Sequence, residues 1–301
     1  MPRPSTTAAA RVAAVPAPVL VLAAVVSVQF GGALAATLVP EIGAPGSVTL
    51  RLLFAALVLG AVARPRIRGH SRGAWLTVVL FGLALGLMNL AFYASLVRLP
   101  IGVAVTIEFL GPLTLATVLS RRLLDVLAVV AAGAGVTLIS QALSVPLADL
   151  DWLGLGLAAT AGACWAAYIV LSRRTGAQFA SLDGLALAMG VALLAVAPFG
   201  LATVPLWDTE VVAKGLGIAL LSSVLPYSLE LLALRRLSPR VFGILLSLEP
   251  AAAALAGWLV LGQRLTAHQL TGMALVVLAS AVVMGAGRRT PAGPATVASG
   301  G

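Results

Sequence analysis

Charged residues are scarce in this chain, which carries 10 acidic and 19 basic side chains among its 301 residues. Soluble domains have roughly a quarter of their residues charged. Here the charged fraction is 10%, hydrophobic residues make up 60%, and the mean hydropathy is +1.08. This composition excludes an ordinary soluble domain and indicates a polytopic membrane protein.

Cysteine and histidine are almost absent. The single cysteine, Cys164, lies in an apolar segment, so it can form no intrachain disulfide, and we interpret it as a small packing residue. His70 and His268 fall in predicted loops. The chain also lacks a His-Glu-x-x-His motif, an Asp-rich headgroup motif and a Gly-x-x-x-x-Gly-Lys-Ser/Thr loop. We therefore expect no cofactor or metal, and neither an intramembrane enzyme nor an ATPase.

Long apolar runs dominate what is present. At 1.5 Å per residue they are long enough to cross a hydrocarbon core of about 30 Å, the shortest with help from their flanks. The first run continues past a typical signal-peptide core and is expected to be a retained helix. Because helices satisfy their own backbone in lipid, we predict ten transmembrane helices. They cover approximately residues 18–39, 48–63, 75–97, 101–119, 126–143, 152–171, 184–204, 213–234, 241–261 and 270–286.

Basic residues follow alternate connections between these runs. With both termini cytoplasmic, 15 of the 19 lie on the inner side, as the positive-inside rule requires. The inner set is Arg3, Arg11, Arg64, Arg66, Arg68, Arg72, Arg121, Arg122, Arg173, Arg174, Arg235, Arg236, Arg240, Arg288 and Arg289. The outer side keeps Arg51, Arg98, Lys214 and Arg264, with the acids Glu41, Asp149, Asp151, Asp208 and Glu210. This topology explains the net charge of +9 without a nucleic-acid partner.

Two apolar runs carry a glutamate near their centre, followed by a proline. Glu108 lies in Ile107–Pro112, in the middle of the run Ile101–Leu119, and Glu249 lies in Ser247–Pro250, in the middle of the run Val241–Leu261. The segment Leu96–Pro100 ends eight residues before Glu108, and the similar segment Leu234–Pro239 ends ten residues before Glu249. Five predicted helices precede the midpoint and five follow it, so the second copy is expected upside down. We therefore predict two inverted five-helix repeats, at residues 16–145 and 146–287, between tails 1–15 and 288–301.

Several motifs occur together in a characteristic order. They are Ser27–Ala35, Gly43–Gly46 leading to Leu50–Leu52, Glu108–Pro112 with Ser120–Arg122, Gly162–Ala166 with Tyr168, and Leu225–Glu230. With the doubled glutamate–proline helix, this set resembles the drug/metabolite transporter superfamily and its EamA-type repeats, and within it the threonine/homoserine exporters. One departure is Leu261-Gly262-Gln263, where the family usually has Leu-Gly-Glu.

The resemblance implies a multi-pass carrier of the bacterial inner (plasma) membrane. Such a carrier would export small amino acids, threonine and homoserine, by alternating access in exchange for protons, with the lipid bilayer as its surroundings. A carrier of the same fold for another small metabolite or drug is the alternative, and a non-transporting membrane subunit is a further one. The oligomeric state stays open between a monomer and a homodimer.

The two central glutamates are the main candidates for substrate or proton binding. An ionised group at the bilayer centre costs about 2.5–3.5 kcal/mol, so such residues are usually functional. The pseudo-symmetry would bring Glu108 and Glu249 to opposite walls of one cavity, where each could bind an ammonium group or a proton. The alternative is that both are neutral and only form hydrogen bonds between helices.

Three prolines within apolar runs are predicted to interrupt their helices. Proline lacks an N–H, so the carbonyl four residues earlier loses its helical partner. Pro112 would free the carbonyl of Glu108 for a ligand, a water molecule or another side chain. Pro226 and Pro250 would do the same for the carbonyls of Ser222 and Leu246.

Two further charged residues have competing interpretations. Glu230 lies about one turn from the inner end of its run, where it either joins the site or reaches Arg235 and Arg236 as an interfacial ion pair. Arg51 lies near the outer end of the second run. It could bind a substrate carboxylate or Glu41, or serve as an interfacial anchor.

Polar and aromatic residues inside the runs complete the candidate site. Such groups line cavities more often than they face lipid, although aromatic residues near helix ends can belong to an interfacial belt. The candidates are Gln29, Asn89, Tyr93, Trp165, Tyr168 and Tyr227. Gly82 and Gly86 are expected to allow close helix packing.

Overall fold

The chain forms a bundle of helices. A computed structural model describes residues 15–99, 101–120, 122–140, 143, 146, 150–252 and 266–287. Over these residues all regular structure is helical, which confirms the predicted all-α class. The α-helices are α1 (Ala17–Ala63), α2 (Arg72–Leu96), α3 (Ile101–Val118), α4 (Leu123–Ile139), α5 (Trp152–Gln178), α6 (Asp183–Gly200), α7 (Thr209–Ala219), α8 (Leu225–Leu234), α9 (Pro239–Leu246) and α10 (Ala267–Gly287).

Some predicted features lie outside the described residues. They include both tails, most of the connection before α5, and the segment 253–265, which contains the end of the ninth predicted span. The charged residues outside the described ranges are Arg3, Arg11, Arg121, Asp149, Arg264, Arg288 and Arg289. The departure at Gln263 falls there as well.

Five helices in the described part are long and apolar enough to cross a membrane. They are Thr37–Ala63, Arg72–Leu96, Trp152–Gln178, Asp183–Leu206 and Thr209–Leu234, and the shorter apolar helices there are Ala17–Gly32, Val103–Val118, Leu123–Ile139 and Ala267–Val282. Several hydrophobic spanning helices in one chain make this a multi-pass membrane protein.

The first helix consists of two arms that meet at Gly43. This residue has φ 71° and ψ 170°, while the residues around it stay helical. That backbone region is open essentially to glycine alone, because a β-carbon would clash there. The two arms correspond to the first two predicted spans.

The contacts of these arms show that the chain reverses at Gly43. Before the first arm, the Val15 carbonyl accepts a hydrogen bond from Arg236 (2.7 Å), and near the end of that arm Glu41 pairs with Lys214 (2.6 Å). Lys214 and Arg236 lie at opposite ends of the Thr209–Leu234 helix. After the second arm, the Arg66 N–H donates to the Asp183 carboxylate (3.5 Å), and Arg235, next to Arg236, donates to the nearby Ser181 carbonyl (2.5 Å), so Arg66 is back at the end where Arg236 lies. We call this side, with Val15, Arg66 and Arg236, the basic end of the bundle.

Glycines bring pairs of helices into backbone contact. A β-carbon on Gly82 would lie 2.5 Å from the Ala188 carbonyl oxygen, and one on Gly86 would also touch α6. Between α3 and α5 the approach is closer still, because Gly111 lies directly against Gly162. In lipid, where apolar burial does not drive helices together, such close contacts stabilise the bundle. The expected packing role of Gly82 and Gly86 is therefore confirmed.

Helix α5 is longer than the sequence pattern predicts. Its apolar run ends near residue 171, but the helix continues to Gln178, so Arg173 and Arg174 lie on its last two turns. Their predicted placement in a connection is wrong. Arginine is a good helix former, and a helix that leaves the apolar layer can continue wherever its side chains reach water.

The other end of α5 is capped by Asp151. Its carboxylate accepts a hydrogen bond from the Gly154 N–H (2.7 Å) and pairs with Arg98 (3.1 Å). The Gly154 N–H, together with Arg98, lowers the pKa of Asp151. The cap therefore ties the connection before α3 to the start of α5.

An ion pair that the sequence patterns do not reveal joins α4 to α9. Arg240 donates to the Asp125 carboxylate at 2.8 Å, and the Ser120 hydroxyl donates to the same oxygen at 3.0 Å. The Asp125 side chain is only 2% exposed. These two partners therefore satisfy a buried carboxylate.

Removing the arginine charge should destabilise the protein. Arg240→Met leaves Asp125 buried without its counterion, and breaking such a pair costs about 3–5 kcal/mol. Thermal unfolding of the purified protein in detergent should show a lower Tm. The double variant Asp125→Asn with Arg240→Met should recover much of the loss. An Arg240→Met protein that melts at the wild-type temperature would contradict this role.

Candidate functional site

A central cavity of about 340 Å³ gathers most of the residues singled out from the sequence. Its lining comes from both arms of α1, from α2, α3, α5 and α8, and from the segments around Ser222 and Glu249. The lining residues are Val28, Gln29, Gly32, Arg51, Met88, Asn89, Phe92, Tyr93, Val105, Glu108, Phe109, Trp165, Ser222, Tyr227, Glu230, Glu249 and Pro250. Among the predicted binding residues, Tyr168 lies behind the lining rather than in it.

Three carboxyl groups meet at this cavity. Glu108 is 8% exposed and Glu230 4% exposed, and Glu249 lies close enough to interact electrostatically with both. Among the described residues, neither Glu108 nor Glu249 forms a side-chain hydrogen bond or an ion pair. Interacting carboxyl groups take up and release protons as a set. The group can therefore bind either protons or a cation.

Glu230 is held by a buried tyrosine. The Tyr168 hydroxyl donates to its carboxylate at 2.5 Å, and the Tyr168 ring packs against the rings of Phe81 and Tyr227, with both centroid distances 5.5 Å. Tyr168 is completely buried. It thus acts on the site through Glu230 and fixes the direction of that carboxylate.

The interfacial ion pair considered for Glu230 does not form. Arg235 instead donates to the backbone carbonyls of Gly176 (3.0 Å), Phe179 (3.1 Å) and Ser181 (2.5 Å). The carboxylate of Glu230 points into the bundle because its position on α8 faces Tyr168 rather than the helix end. Sequence distance from the helix end alone misses this rotation.

Arg51 is buried at the cavity and is not an interfacial anchor. The side chain is 5% exposed, its guanidinium donates to the Asn89 side-chain oxygen, and its Cζ lies 5.7 Å from the centroid of the Tyr93 ring. Asn89 in turn donates its amide N–H to the Leu85 carbonyl at 2.8 Å. Glu41, the other candidate partner, pairs with Lys214.

The three prolines affect their helices differently. Pro112 lies inside α3, which continues through it. The carbonyl oxygen of Glu108 is directed at the backbone of Gly162, since a β-carbon there would lie 2.7 Å away. That carbonyl is therefore covered by α5, and the prediction that it is free for a ligand is wrong.

Pro226 follows a π-helical turn, Leu220–Val224, in an otherwise continuous helix. The widened turn leaves the Leu221 carbonyl available, and the Ser27 hydroxyl donates to it at 2.7 Å. Such turns often occur at functional sites. Here it brings Ser222 to the cavity.

The chain near Pro250 is interrupted just before the glutamate. Helix α9 ends at Leu246, and Ser247 forms a turn. Helical structure resumes at Leu248 and continues to Ala252, where this described range ends. Gln29 donates its side-chain amide to the Glu249 carbonyl at 3.4 Å. This bond links the first arm of α1 to the interruption.

Aromatic and apolar residues form the remaining walls. Trp165 packs edge-on against Phe109 with ring centroids 4.8 Å apart. Phe109, Met88, Phe92 and the smaller apolar lining residues were not singled out from the sequence. In spanning helices both lipid-facing and cavity-facing positions are apolar, so no amphipathic pattern marks them. Ser222 did carry a signal, because it stands four residues before Pro226.

Comparison with known proteins assigns the chain to a family. Residues 152–285 match the EamA-like transporter family. The chain is 40% identical over 264 residues to the threonine/homoserine exporter RhtA of Escherichia coli K12, covering 87% of this chain and 89% of that protein. The RhtA protein of Salmonella typhimurium LT2 is also 40% identical, over 266 residues.

More distant similarities extend over much of the same chain. Protein PecM of Dickeya dadantii is 30% identical over 223 residues, which is 69% of this chain and 73% of PecM. A crystal structure at 18% identity has the same fold, with a TM-score of 0.72 over 91% of this chain and 98% of the other. The protein therefore belongs to the EamA-like transporter family, as a multi-pass inner-membrane carrier near the threonine/homoserine exporters.

Proposed function

We propose that this protein is a secondary active exporter that moves small amino acids, such as threonine and homoserine, out of the cytoplasm in exchange for protons. The observation that carries the proposal is the central cavity, which combines three carboxyl groups with one guanidinium. An amino acid carries the complementary pair of charges. The named function of the RhtA relatives supports the same substrate class.

The size of the cavity favours a small cargo. At about 340 Å³ it is near the lower limit of ligand pockets, which span roughly 300–1,000 Å³. A bulky drug would not fit in a cavity of this size, and a nucleotide derivative would need more than one cation. Aromatic amino acids are a second candidate, because Tyr93, Phe109, Trp165 and Tyr227 contribute rings to the walls.

The proposed architecture is ten spanning helices in two inverted repeats, 16–145 and 146–287, with both termini cytoplasmic. Paired contacts support the repeats. Helix α2 packs against α5, and α1 packs against α7 and α8. The first arm of α1 takes part in the second contact, because Ser27 donates to the Leu221 carbonyl and Glu41 pairs with Lys214. Arg98 binds Asp151 at the start of α5, and Arg236 binds the Val15 carbonyl before α1. These two arginines occupy matching positions in the predicted repeat.

A reciprocal contact supports a two-fold axis between the halves. Helices α4 and α10 would be the last helices of their repeats. A β-carbon on Gly135 would lie 2.7 Å from the Gly272 carbonyl oxygen, and one on Gly272 would lie 2.6 Å from the Gly135 carbonyl oxygen. Inverted repeats allow alternating access, because the halves can exchange conformations. The basic end would face the cytoplasm.

Coupling to protons would use the three carboxyl groups. When Glu108, Glu230 and Glu249 hold protons, the site has less attraction for the ammonium group of the substrate. Release of those protons to the cytoplasm would favour binding of cytoplasmic substrate, and reprotonation from outside would favour its release. The cavity is formed within one chain, so this cycle requires no second copy.

Efflux measurements test the proposal. Cells that express the protein and lack their own exporters are loaded with labelled threonine or homoserine, and efflux is followed with and without an imposed proton gradient. We expect efflux that accelerates with an inward gradient and is absent from vector controls. Failure to export either amino acid, with the protein confirmed in the membrane, would overturn the substrate class. Labelled phenylalanine tests the aromatic candidate in the same cells.

A further inference from the structure

The substrate carboxylate needs a binding partner in this cavity. We infer that Arg51, held in place by Asn89 and Tyr93, forms a carboxylate subsite and that the carrier therefore selects zwitterions over amines with the same side chain. This inference rests on the proposed export of amino acids. It identifies the group that binds the substrate carboxylate and the residues that position this group.

Arg51 is a buried cation with a hydrogen-bond donor that no described residue uses. It is the only cation among the lining residues, all of which lie in the described part of the chain. Its Nε is buried without a hydrogen-bond partner, and Arg51 forms no ion pair with a described carboxylate. Burying a charge without a counterion is costly. A substrate carboxylate would supply the missing charge.

Asn89 and Tyr93 hold this cation without neutralising it. Because the Asn89 amide nitrogen donates to the Leu85 carbonyl, its oxygen is turned toward Arg51 and accepts from the guanidinium. Tyr93, one turn further along α2, places its ring 5.7 Å from Cζ. An amide and a ring face both attract a guanidinium but leave its positive charge in place. The guanidinium of Arg51 can then bind a carboxylate with two parallel hydrogen bonds.

Arg51 and the three glutamates line the same cavity. Tyr227 lies close enough to both Arg51 and Glu230 to interact electrostatically with each of them. A zwitterion could therefore reach Arg51 with its carboxylate and the acids with its ammonium group. An amine that lacks the carboxylate would satisfy only one pole and leave Arg51 unpaired.

Competition between matched ligands tests the subsite. Uptake of labelled threonine into inside-out vesicles is measured against unlabelled threonine, against threoninol, in which CH₂OH replaces the carboxylate, and against homoserine and its lactone. We expect threoninol and the lactone to compete about 10- to 100-fold more weakly than the corresponding amino acids, the effect of losing a charged hydrogen-bonded pair.

Variants of the positioning residue separate its role from a structural one. Asn89→Asp keeps an acceptor beside Arg51 but adds a charge that neutralises it. This variant should need about 10- to 100-fold more threonine for half-maximal transport, while inhibition by threoninol is unchanged or stronger. Arg51→Gln should lose the discrimination between threonine and threoninol. Arg51→Lys should retain part of this discrimination, because lysine keeps the positive charge but lacks the paired N–H donors of a guanidinium.

The outcomes distinguish the two proposals. If the unaltered protein transports threonine but threoninol competes equally well, the subsite is wrong and the export function stands. If the unaltered protein transports no threonine in either assay, the export function fails and the subsite with it. Should Arg51→Gln fail to reach the membrane, the ligand series on the unaltered protein and on Asn89→Asp still decides.

Discussion

Replacing Glu108 with glutamine should abolish proton-coupled export of threonine and homoserine while leaving the protein in the membrane at its normal abundance. Glutamine keeps the size and shape of the side chain and removes only its ability to carry a proton and a negative charge. Glu108 is 8% exposed and its carboxylate has no hydrogen-bond partner among the described residues. The substitution therefore breaks no described contact, and a loss of transport would report on chemistry rather than folding.

Two assays on the Glu108→Gln variant distinguish proton binding by this carboxylate from binding of the substrate ammonium group. Gradient-driven efflux measures coupled transport, and exchange of labelled for unlabelled threonine across the membrane measures substrate binding and reorientation without net proton movement. If Glu108 carries only the proton, exchange persists when efflux is lost. If it also binds the ammonium group, both are lost. Undiminished efflux at equal membrane abundance would show that Glu108 has neither role.

Glu230→Gln is a useful comparison because its surroundings differ. The Tyr168 hydroxyl donates to this carboxylate at 2.5 Å, and a glutamine oxygen can still accept that bond. Its effect on efflux then measures how much Glu230 shares in proton binding.

The second large effect should come from a single methyl group at Gly162. In Gly162→Ala the new β-carbon would lie 2.7 Å from the carbonyl oxygen of Glu108, inside the contact between α5 and α3. Because that oxygen belongs to the backbone, the two helices must move apart. We expect a destabilisation of about 1–3 kcal/mol, as for overpacked cores. Export should fall as well, since Glu108 moves with α3.

A matched control lies on the same helix. Gly156 has no atom within 4 Å of its β-carbon position, so Gly156→Ala adds the same methyl group in open space. Alanine is the better helix former, by about 0.5–1 kcal/mol. Gly156→Ala should therefore keep or raise the Tm in detergent and retain export. If both variants behave alike, the close α3–α5 contact does not position Glu108.

The candidate site could be predicted in part because charges in apolar runs are conspicuous. Glu108, Glu249 and Arg51 stand out, since lipid tolerates a charge only when something compensates its burial. Asn89 and Gln29 stand out for the same reason to a lesser degree. Met88, Val105 and Phe109 could not be found this way, because their neighbours facing lipid are just as apolar.

Helix rotation explains why position along the chain does not place these groups. One of the two interpretations of Glu230 pairs it with the arginines near the end of its helix, yet its side chain turns toward Tyr168. The carbonyl released by Pro112 is predicted to be free for a ligand, a water molecule or another side chain, yet it faces Gly162. Position along a helix does not fix the direction of a group around the helix.

The sequence by itself determined that this chain is an all-α membrane protein with few charges and with acids inside its apolar runs. Those features follow from the energy of moving each residue into lipid, which depends on composition and order. Tertiary structure alone decided the partners: Arg51 with Asn89, 38 residues away, Tyr168 with Glu230, 62 away, and Asp125 with Arg240, 115 away. Such pairs depend on how helices rotate and cross, which close contacts such as that of Gly111 with Gly162 fix only in the assembled bundle.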